Sequence, residues 1–306
     1  MELRYLRYFV AVAEEKSFTK AAARLGIKQP PLSLQIRKLE KEMGARLFYR
    51  GTRSVELTDS GRLLFEETRL ILAQVERTKT DVRRRARGET GALNVGFVVG
   101  TQFHPLVPTI IREYGSRFPE VIMRPQAASS ALHNARVRAG TVDLAFVHCP
   151  TTGADGLTLD IIVEEPVVAV LPIGHRLSRA ASLHLSALAD EKLVLFARDL
   201  NPVMYDAFIS AIKRAGLTPR IGQHASVSVG APPMVAAGLG WSLLPASLGR
   251  ILPHDVAYVP IADEMPTVGI GLVHRPNDPS AAVQNFVAIA KRMAGQRMAG
   301  RVLERA

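Results

Sequence analysis

The sequence predicts a mainly α-helical head, one long connecting helix and an α/β region built as two lobes. Three observations carry this. Residues 1–57 show apolar positions at helical spacing broken by glycine turns, residues 58–87 run with no glycine or proline after Gly61, and from Leu93 onward short apolar runs alternate with helical patterns. A chain of 306 residues has room for two or three domains.

The charge is unevenly spread. The whole chain carries +11, and residues 1–88 hold 20 of the 39 Lys and Arg against 11 of the 28 Asp and Glu, leaving the remainder near neutrality. A basic first segment on a nearly neutral body points to a polyanionic partner for that segment. One cysteine, Cys149, cannot form a disulfide within the chain. Glu2, Arg4, Arg7, Glu14 and Glu15 interrupt any secretory leader, and runs such as 167–173 are too short to cross a bilayer. The expectation is a cytoplasmic protein without a membrane partner.

In the head, Leu3, Leu6, Phe9, Val10 and Ala13 form one helical stripe. Ser17 is placed to cap a short helix over Thr19–Leu25, whose Ala21, Ala22 and Ala23 permit close approach and which Gly26 ends. Gln29, Pro30 and Pro31 open a third helix, because proline is tolerated in a first turn. Its Leu32, Ile36, Leu39 and Met43 make the expected buried face, leaving Pro30, Ser33, Leu34, Arg37 and Lys41 outward. Polar groups followed by cations suit base edges and then phosphates, which is the helix-turn-helix arrangement. Residues 46–57 place Arg46, Arg50 and Arg53 among apolar residues, like a two-stranded wing that presses arginines on the DNA backbone. A basic protein–protein module is the plainer alternative. A membrane-surface helix fits less well, because the apolar faces are needed for a core.

These residues carry a resemblance. The run from Glu2 to Glu14, Ser17 to Leu25, Gln29-Pro-Pro-Leu-Ser and Leu47-Phe-Tyr-Arg resemble, without a gap through about the first 65 residues, the amino terminus of LysR-type transcriptional regulators, of the branch acting on aromatic-acid pathways. The resemblance implies a winged helix-turn-helix whose third helix reads double-stranded DNA through Gln29, Pro30, Ser33, Leu34 and Arg37, with Arg53 on the wing. Many relatives have arginine where this chain has Leu34, so an apolar contact, such as one to a thymine methyl, replaces a guanine-directed one.

From Thr58 to about Arg87 a single helix of roughly 45 Å is expected. Leu64, Thr68, Ile71, Val75, Thr78 and Val82 alternate at spacings of four and three, a coiled-coil seam that predicts a homodimer. Packing on the chain's own carboxy-terminal region is the alternative. The resemblance adds a homotetramer, built as a dimer of dimers.

Strands are expected at Leu93–Val99, Val121–Gln126, Val142–His148, Val167–Leu171, Leu193–Phe196, Trp241–Leu244, Val256–Pro260 and Val268–His274, in mainly parallel sheets. Helices are expected at Pro105–Arg117, Ser130–Ala139, Pro202–Ala215, Pro232–Ala237 and Ser280–Met293. The pattern resembles the family's effector-binding domain of two Rossmann-like lobes, itself similar to a periplasmic binding protein. The expected domains are 1–58 for the head, 59–88 for the linker and 89–306 for the effector domain, with lobe I about 92–162 and 267–306 and lobe II about 163–266. Helix starts at Thr101, Ser130 and Asn201-Pro202 would converge in the cleft as a site for a small anionic effector, a carboxylate. The resemblance places Gly100, Thr101, Ser130, His148, Pro202 and Met204 there; the loop at Val98–Gln102 is one residue longer than the family's.

No enzyme chemistry is expected. His104, His133, His175, His184, His224, His254 and His274 lack metal-ligand spacing, and Gly238 and Gly240 lack the third glycine of a nucleotide fingerprint and read as a turn into a strand. No cofactor is implied. Two alternatives stay open: an α/β enzyme targeted to DNA, and an architectural DNA binder whose cleft is empty.

Overall fold

Helix α1 (Leu3–Glu15) buries Leu6, Phe9 and Val12, spaced three apart, and so must find partners for one stripe only. It finds them in α2 (Phe18–Leu25) and α3 (Gln29–Met43), which supply Ala21, Ala22, Leu32, Ile36 and Leu39 to the same core. A computed structural model describes residues 1–50, 55–225, 228–250 and 255–303. It divides into two compact units, Met1–Arg84 and Arg85–Ala306.

Local chemistry sets each turn of the first unit. Ser17 is extended and its hydroxyl accepts the backbone N–H of Lys20, while Gly26 at φ +66° takes the left-handed conformation that ends α2. Pro30 and Pro31 sit in the first turn of α3 and Gly44 ends it. The hairpin of β1 (Phe48–Arg50) and β2 (Val55–Leu57) is antiparallel, pairing Phe48 with Leu57. The Glu40 carboxylate accepts from the backbone N–H groups of Leu47 and Phe48, at 3.0 and 3.4 Å, and Phe48 packs its ring on Phe9 and Phe18. The wing is thereby tied to α3 and the core.

Two expectations about α3 need correction. Met43 is 37% exposed, because the last turn before Gly44 overhangs the core that Leu32, Ile36 and Leu39 fill. Ser33 is 8% exposed, its short side chain sheltered beside Leu32 and Ile36.

Helix α4 (Asp59–Ala86) starts at Thr58, whose hydroxyl accepts the Gly61 N–H at 2.9 Å and donates to Arg46 O at 2.7 Å. The expected seam is only partly free. Thr68 is fully buried, and Leu64 and Ile71, with Phe65, pack against the head's own core; Arg7 of α1 also meets Glu76 of α4 at 3.4 Å. The large apolar side chains that α4 leaves exposed are Leu63 and Leu70, seven residues apart, and Val82. The sequence stripe that looks like a seam is partly a docking stripe for the head.

The second unit holds, among its described residues, two five-stranded sheets. Lobe I is built from β3 (Thr90–Phe97), α5 (Leu106–Arg117), β4 (Glu120–Ala127), α6 (Ser130–Arg138), β5 (Leu144–Cys149) and β6 (Thr158–Glu165). Lobe II contains β7 (Val167–Pro172), β8 (Lys192–Phe196), α7 (Pro202–Arg214), β9 (Arg220–Ala225), α8 (Ala231–Ala236), β10 (Trp241–Pro245) and β11 (Val256–Pro260). The chain then returns to lobe I through β12 (Val268–His274) and α9 (Ala281–Leu303). Strand orders are β4-β3-β5-β12-β6 and β11-β7-β10-β8-β9.

The sheets are mixed, not mainly parallel. In each, two neighbouring pairs are parallel, while the strands next to the crossings, β12 and β6 in lobe I and β7 and β11 in lobe II, pair antiparallel. A crossing chain enters its new sheet against the direction of the βα units. β6 and β9 were not expected from sequence: both are edge strands with polar residues on much of their length. β6 keeps the chain in lobe I as far as Glu165. Separate cores fill the lobes, around Phe146, Tyr114 and Phe286 in one and Trp241, Phe208 and Leu195 in the other. Gly238 at φ +77° and Gly240 at φ +144° make the expected turn into β10.

Candidate functional site

The first unit presents α3 as a basic, open face. Gln29, Pro30, Leu34 and Arg37 are exposed, together with Lys38 and Lys41, so a donor-bearing start gives way to cations along the helix. Leu34 is 51% exposed, a large apolar side chain in the middle of this face. Ser33 lies at its margin and is mostly covered. Arg46 at the wing is exposed, and Arg53 lies outside the described residues. Arg24, by contrast, is held by Glu14 at 2.7 Å and Glu15 at 3.2 Å. Its charge is spent locally.

The second unit has a cavity of about 290 Å³ between its lobes. Lobe I contributes Val98, Val99, Ala127, Ala128, Ser129, Ser130 and His148; lobe II contributes Phe196, Leu200, Asn201 and Met204. Most of these follow or end strands β3, β4, β5 and β8 at their carboxyl ends, where open α/β sheets bind ligands. That rule could have found Val98, Val99, Ala127, Ala128 and Phe196, which the sequence reading did not name. Leu200 and Asn201 follow in the turn before α7.

Of the six residues expected in the cleft, Ser130, His148 and Met204 line the cavity and Gly100, Thr101 and Pro202 do not. Thr101 is fully buried and its hydroxyl donates to Val98 O at 2.8 Å, closing its own turn. The Gly100 N–H is likewise engaged, with Gln102 Oε1. Two helix starts therefore meet in the cavity, not three. At α6, Ser129 is the cap, accepting from Leu132 N, which leaves the first N–H groups of the helix without carbonyl partners inside it. At α7, Asn201 is the cap, its Oδ1 accepting from Met204 N at 3.2 Å.

The cavity is apolar with a small polar end. No Lys or Arg is among its lining residues. His148 supplies no charge either: burial lowers its pKa, although the Val99 carbonyl at 3.4 Å opposes this, so the ring is neutral at neutral pH. A carbonyl can only accept, which puts the proton on Nε2. His133, one turn into α6, is fully buried and is also pushed down by burial; its Nε2 bonds Phe97 O at 3.2 Å. Gly96 must be glycine for this ring to fit, since a Cβ there would lie 2.5 Å from His133 Nδ1. The pair ties the start of α6 to the end of β3. Cys149, behind the cavity wall, has its thiol pushed up to about 11 by burial and is no nucleophile at neutral pH. Among the described residues no group of three His, Cys, Asp or Glu side chains is placed to hold a metal ion.

Residues 3–62 match the model of the bacterial regulatory helix-turn-helix proteins of the lysR family, and residues 86–295 match the LysR substrate binding domain. The chain belongs to the LysR family. It is 36% identical to the transcriptional regulator BudR of Raoultella terrigena, over 94% of this chain and 99% of that protein. It is 33% identical to the probable cat1 operon transcriptional activator of Acinetobacter lwoffii, over 96% of this chain and 95% of the relative. Among solved structures, full-length CbnR complexed with its target DNA superposes with a TM-score of 0.80 at 29% identity, covering 96% of this chain and all of that one. This LysR regulator is thus a ligand-responsive, DNA-binding transcription factor and not an enzyme, which removes the DNA-targeted enzyme as an alternative. Regulators of the family bind DNA and small-molecule effectors and form dimers and tetramers. Among the described residues no helix is long and apolar enough to cross a membrane.

Proposed function

We propose that this regulator reads its operator through the outward face of α3 and senses, between the lobes, a small molecule with an apolar body and one carboxylate. The domain limits are 1–58, 59–88 and 89–306, and the protein acts in the cytoplasm, where a transcription factor meets DNA. The observation that carries the effector class is the lining of the 290 Å³ cavity: carbon-rich walls, the start of α6 with the Ser129 and Ser130 hydroxyls at one end, and no cationic side chain. A helix start with free N–H groups stabilises one negative charge. At the α7 start Pro202 has no N–H and Asn201 takes that of Met204, so a second carboxylate would be desolvated against Val98, Val99, Leu200 and Met204 with little to offset that cost. The mainly apolar walls suit an aromatic or branched hydrocarbon body.

On DNA, Gln29, Pro30, Leu34 and Arg37 make the contacts to bases and backbone, with Ser33 at the margin and Arg53 assigned to the wing. The dimer forms along the exposed Leu63–Leu70 side of α4.

Melting of the full-length protein with benzoate, and separately with a dicarboxylate of similar size, tests the effector reading. A ligand at 100 times its Kd stabilises by about 2.7 kcal/mol, a shift of several degrees. The expectation is a rise with benzoate that is reduced in Ser130→Val. A melting temperature indifferent to every acid would favour the architectural DNA binder, and a rise with the dicarboxylate alone would overturn the single-charge reading.

A further inference from the structure

The side chain of Asn201 does two things at once. Its Oδ1 caps α7 by accepting from Met204 N, and its Nδ2 donates to the backbone carbonyl of Pro150 at 2.9 Å. Met204 belongs to lobe II, whereas Pro150 follows β5 in lobe I, two residues beyond His148. Asn201 is 8% exposed and lines the cavity. One buried amide therefore bridges the two lobes across the opening that an effector must occupy.

The loop that offers the Pro150 carbonyl is itself held to α6. Asn134 Nδ2 donates to Thr152 O at 2.7 Å, and the Arg138 guanidinium donates to Gly153 O and Asp155 O at 2.9 and 2.7 Å. Asn134 is fully buried. α6, which brings Ser129 and Ser130 to the cavity, is thus connected through this loop to the cap of α7, which brings Met204. A hydrogen bond between the cap of α7 and the loop after β5 sets how far apart the cavity walls stand. Any arrangement with the lobes further apart must break the Asn201 to Pro150 contact and cost the nearly buried Asn201 amide its acceptor.

We infer that Asn201 is the positioning residue that latches the lobes: its bond to Pro150 holds the cavity at its closed width, so that an effector touching both walls and this bond favour the same lobe arrangement. The functional meaning rests on the cavity being the effector site, but the latch exists without a ligand and is tested without one. Differential contact with two arrangements is what lets a ligand shift a population between them.

The experiment is a pulsed electron–electron distance measurement on full-length protein with no ligand added, spin-labelled at Ser116→Cys on α5 and Ser210→Cys on α7, both exposed, and diluted with unlabelled chain. Asn201→Ser keeps a good helix cap but is too short to bridge, and Asn201→Asp keeps the cap with no donor. Both are expected to move the inter-lobe distances to longer values with a broader spread. Ser129→Ala, which removes the cap of α6 and leaves the bridge, is expected to match the parent. The inference is overturned if a folded Asn201 variant gives the parental distribution, or if Ser129→Ala opens the lobes equally. Should Asn201→Ser not fold, Asn201→Asp decides. Failure here leaves the benzoate melting result standing, and the reverse also holds.

Discussion

The Glu165 carboxylate grips Ser247 twice, accepting its backbone N–H at 2.6 Å and its hydroxyl at 2.8 Å. Glu165 ends β6 in lobe I, Ser247 follows β10 in lobe II, and Glu165 is 5% exposed. Bonds to a buried ionised acceptor are the strong kind. Glu165→Ala is expected to destabilise the second unit by about 2–4 kcal/mol, because it orphans two donors near a crossing between lobes. Urea unfolding followed by tryptophan fluorescence reports this, since Trp241 is buried in lobe II.

The α3 face makes a contrast between two neighbours. Arg37→Ala should weaken operator binding by about 1–3 kcal/mol and flatten its salt dependence, with no change in melting. Leu34→Ala should also leave stability nearly unchanged, being half exposed, but should alter base preference at one operator position. Binding-site selection with both variants at one salt concentration is the measurement. Parental affinity and preference in both would remove α3 from the DNA interface.

Along α4, Leu63→Asp combined with Leu70→Asp is expected to lower the oligomeric mass in sedimentation while the monomer's helix content survives. Ile71→Asp, one residue further round, should instead loosen the head by about 2 kcal/mol or more, because Ile71 packs on its core.

Acid should weaken the second unit. His133 and His148 both titrate below an ordinary histidine because burial disfavours the charged ring. Below the unfolded value, near pH 6.5, the unfolded chain binds protons that the folded one refuses, so stability falls as pH drops from there towards the folded values. Melting at pH 7.5 and pH 5 should show a loss that His148→Phe reduces. A loss unchanged in that variant would assign it elsewhere.

Cys149, with its thiol near 11, is expected to resist iodoacetamide at pH 7.5 in the native protein and to react once urea is added. Mass spectrometry of both samples decides it.

Much of this molecule is legible in its amino acids because the deciding interactions are local. Ser17 and Gly26 bound α2, Pro30 and Pro31 open α3, and Thr58 starts α4, each through its own backbone neighbours. The short apolar runs disclosed the central strands, but β6 and β9 stayed hidden, since an edge strand with polar faces leaves no period to read.

The site was less legible. Ser130 stands out as a helix start and Met204 through the family resemblance, yet Thr101 has both credentials and turns its hydroxyl onto Val98. Periodicity could not say which partner covers a stripe: Leu64, Thr68 and Ile71 look like a dimer seam and serve the head, while Leu63 and Leu70 stand free. By itself the sequence determined the head, the family and the alternation of strands and helices, because capping, turn chemistry and amphipathic spacing act over a few residues. Only the tertiary structure decided which side chains border the cavity, that the wall carries no cation, and that Asn201 reaches Pro150. Those depend on how segments distant in the chain approach one another, and no local pattern encodes such distances.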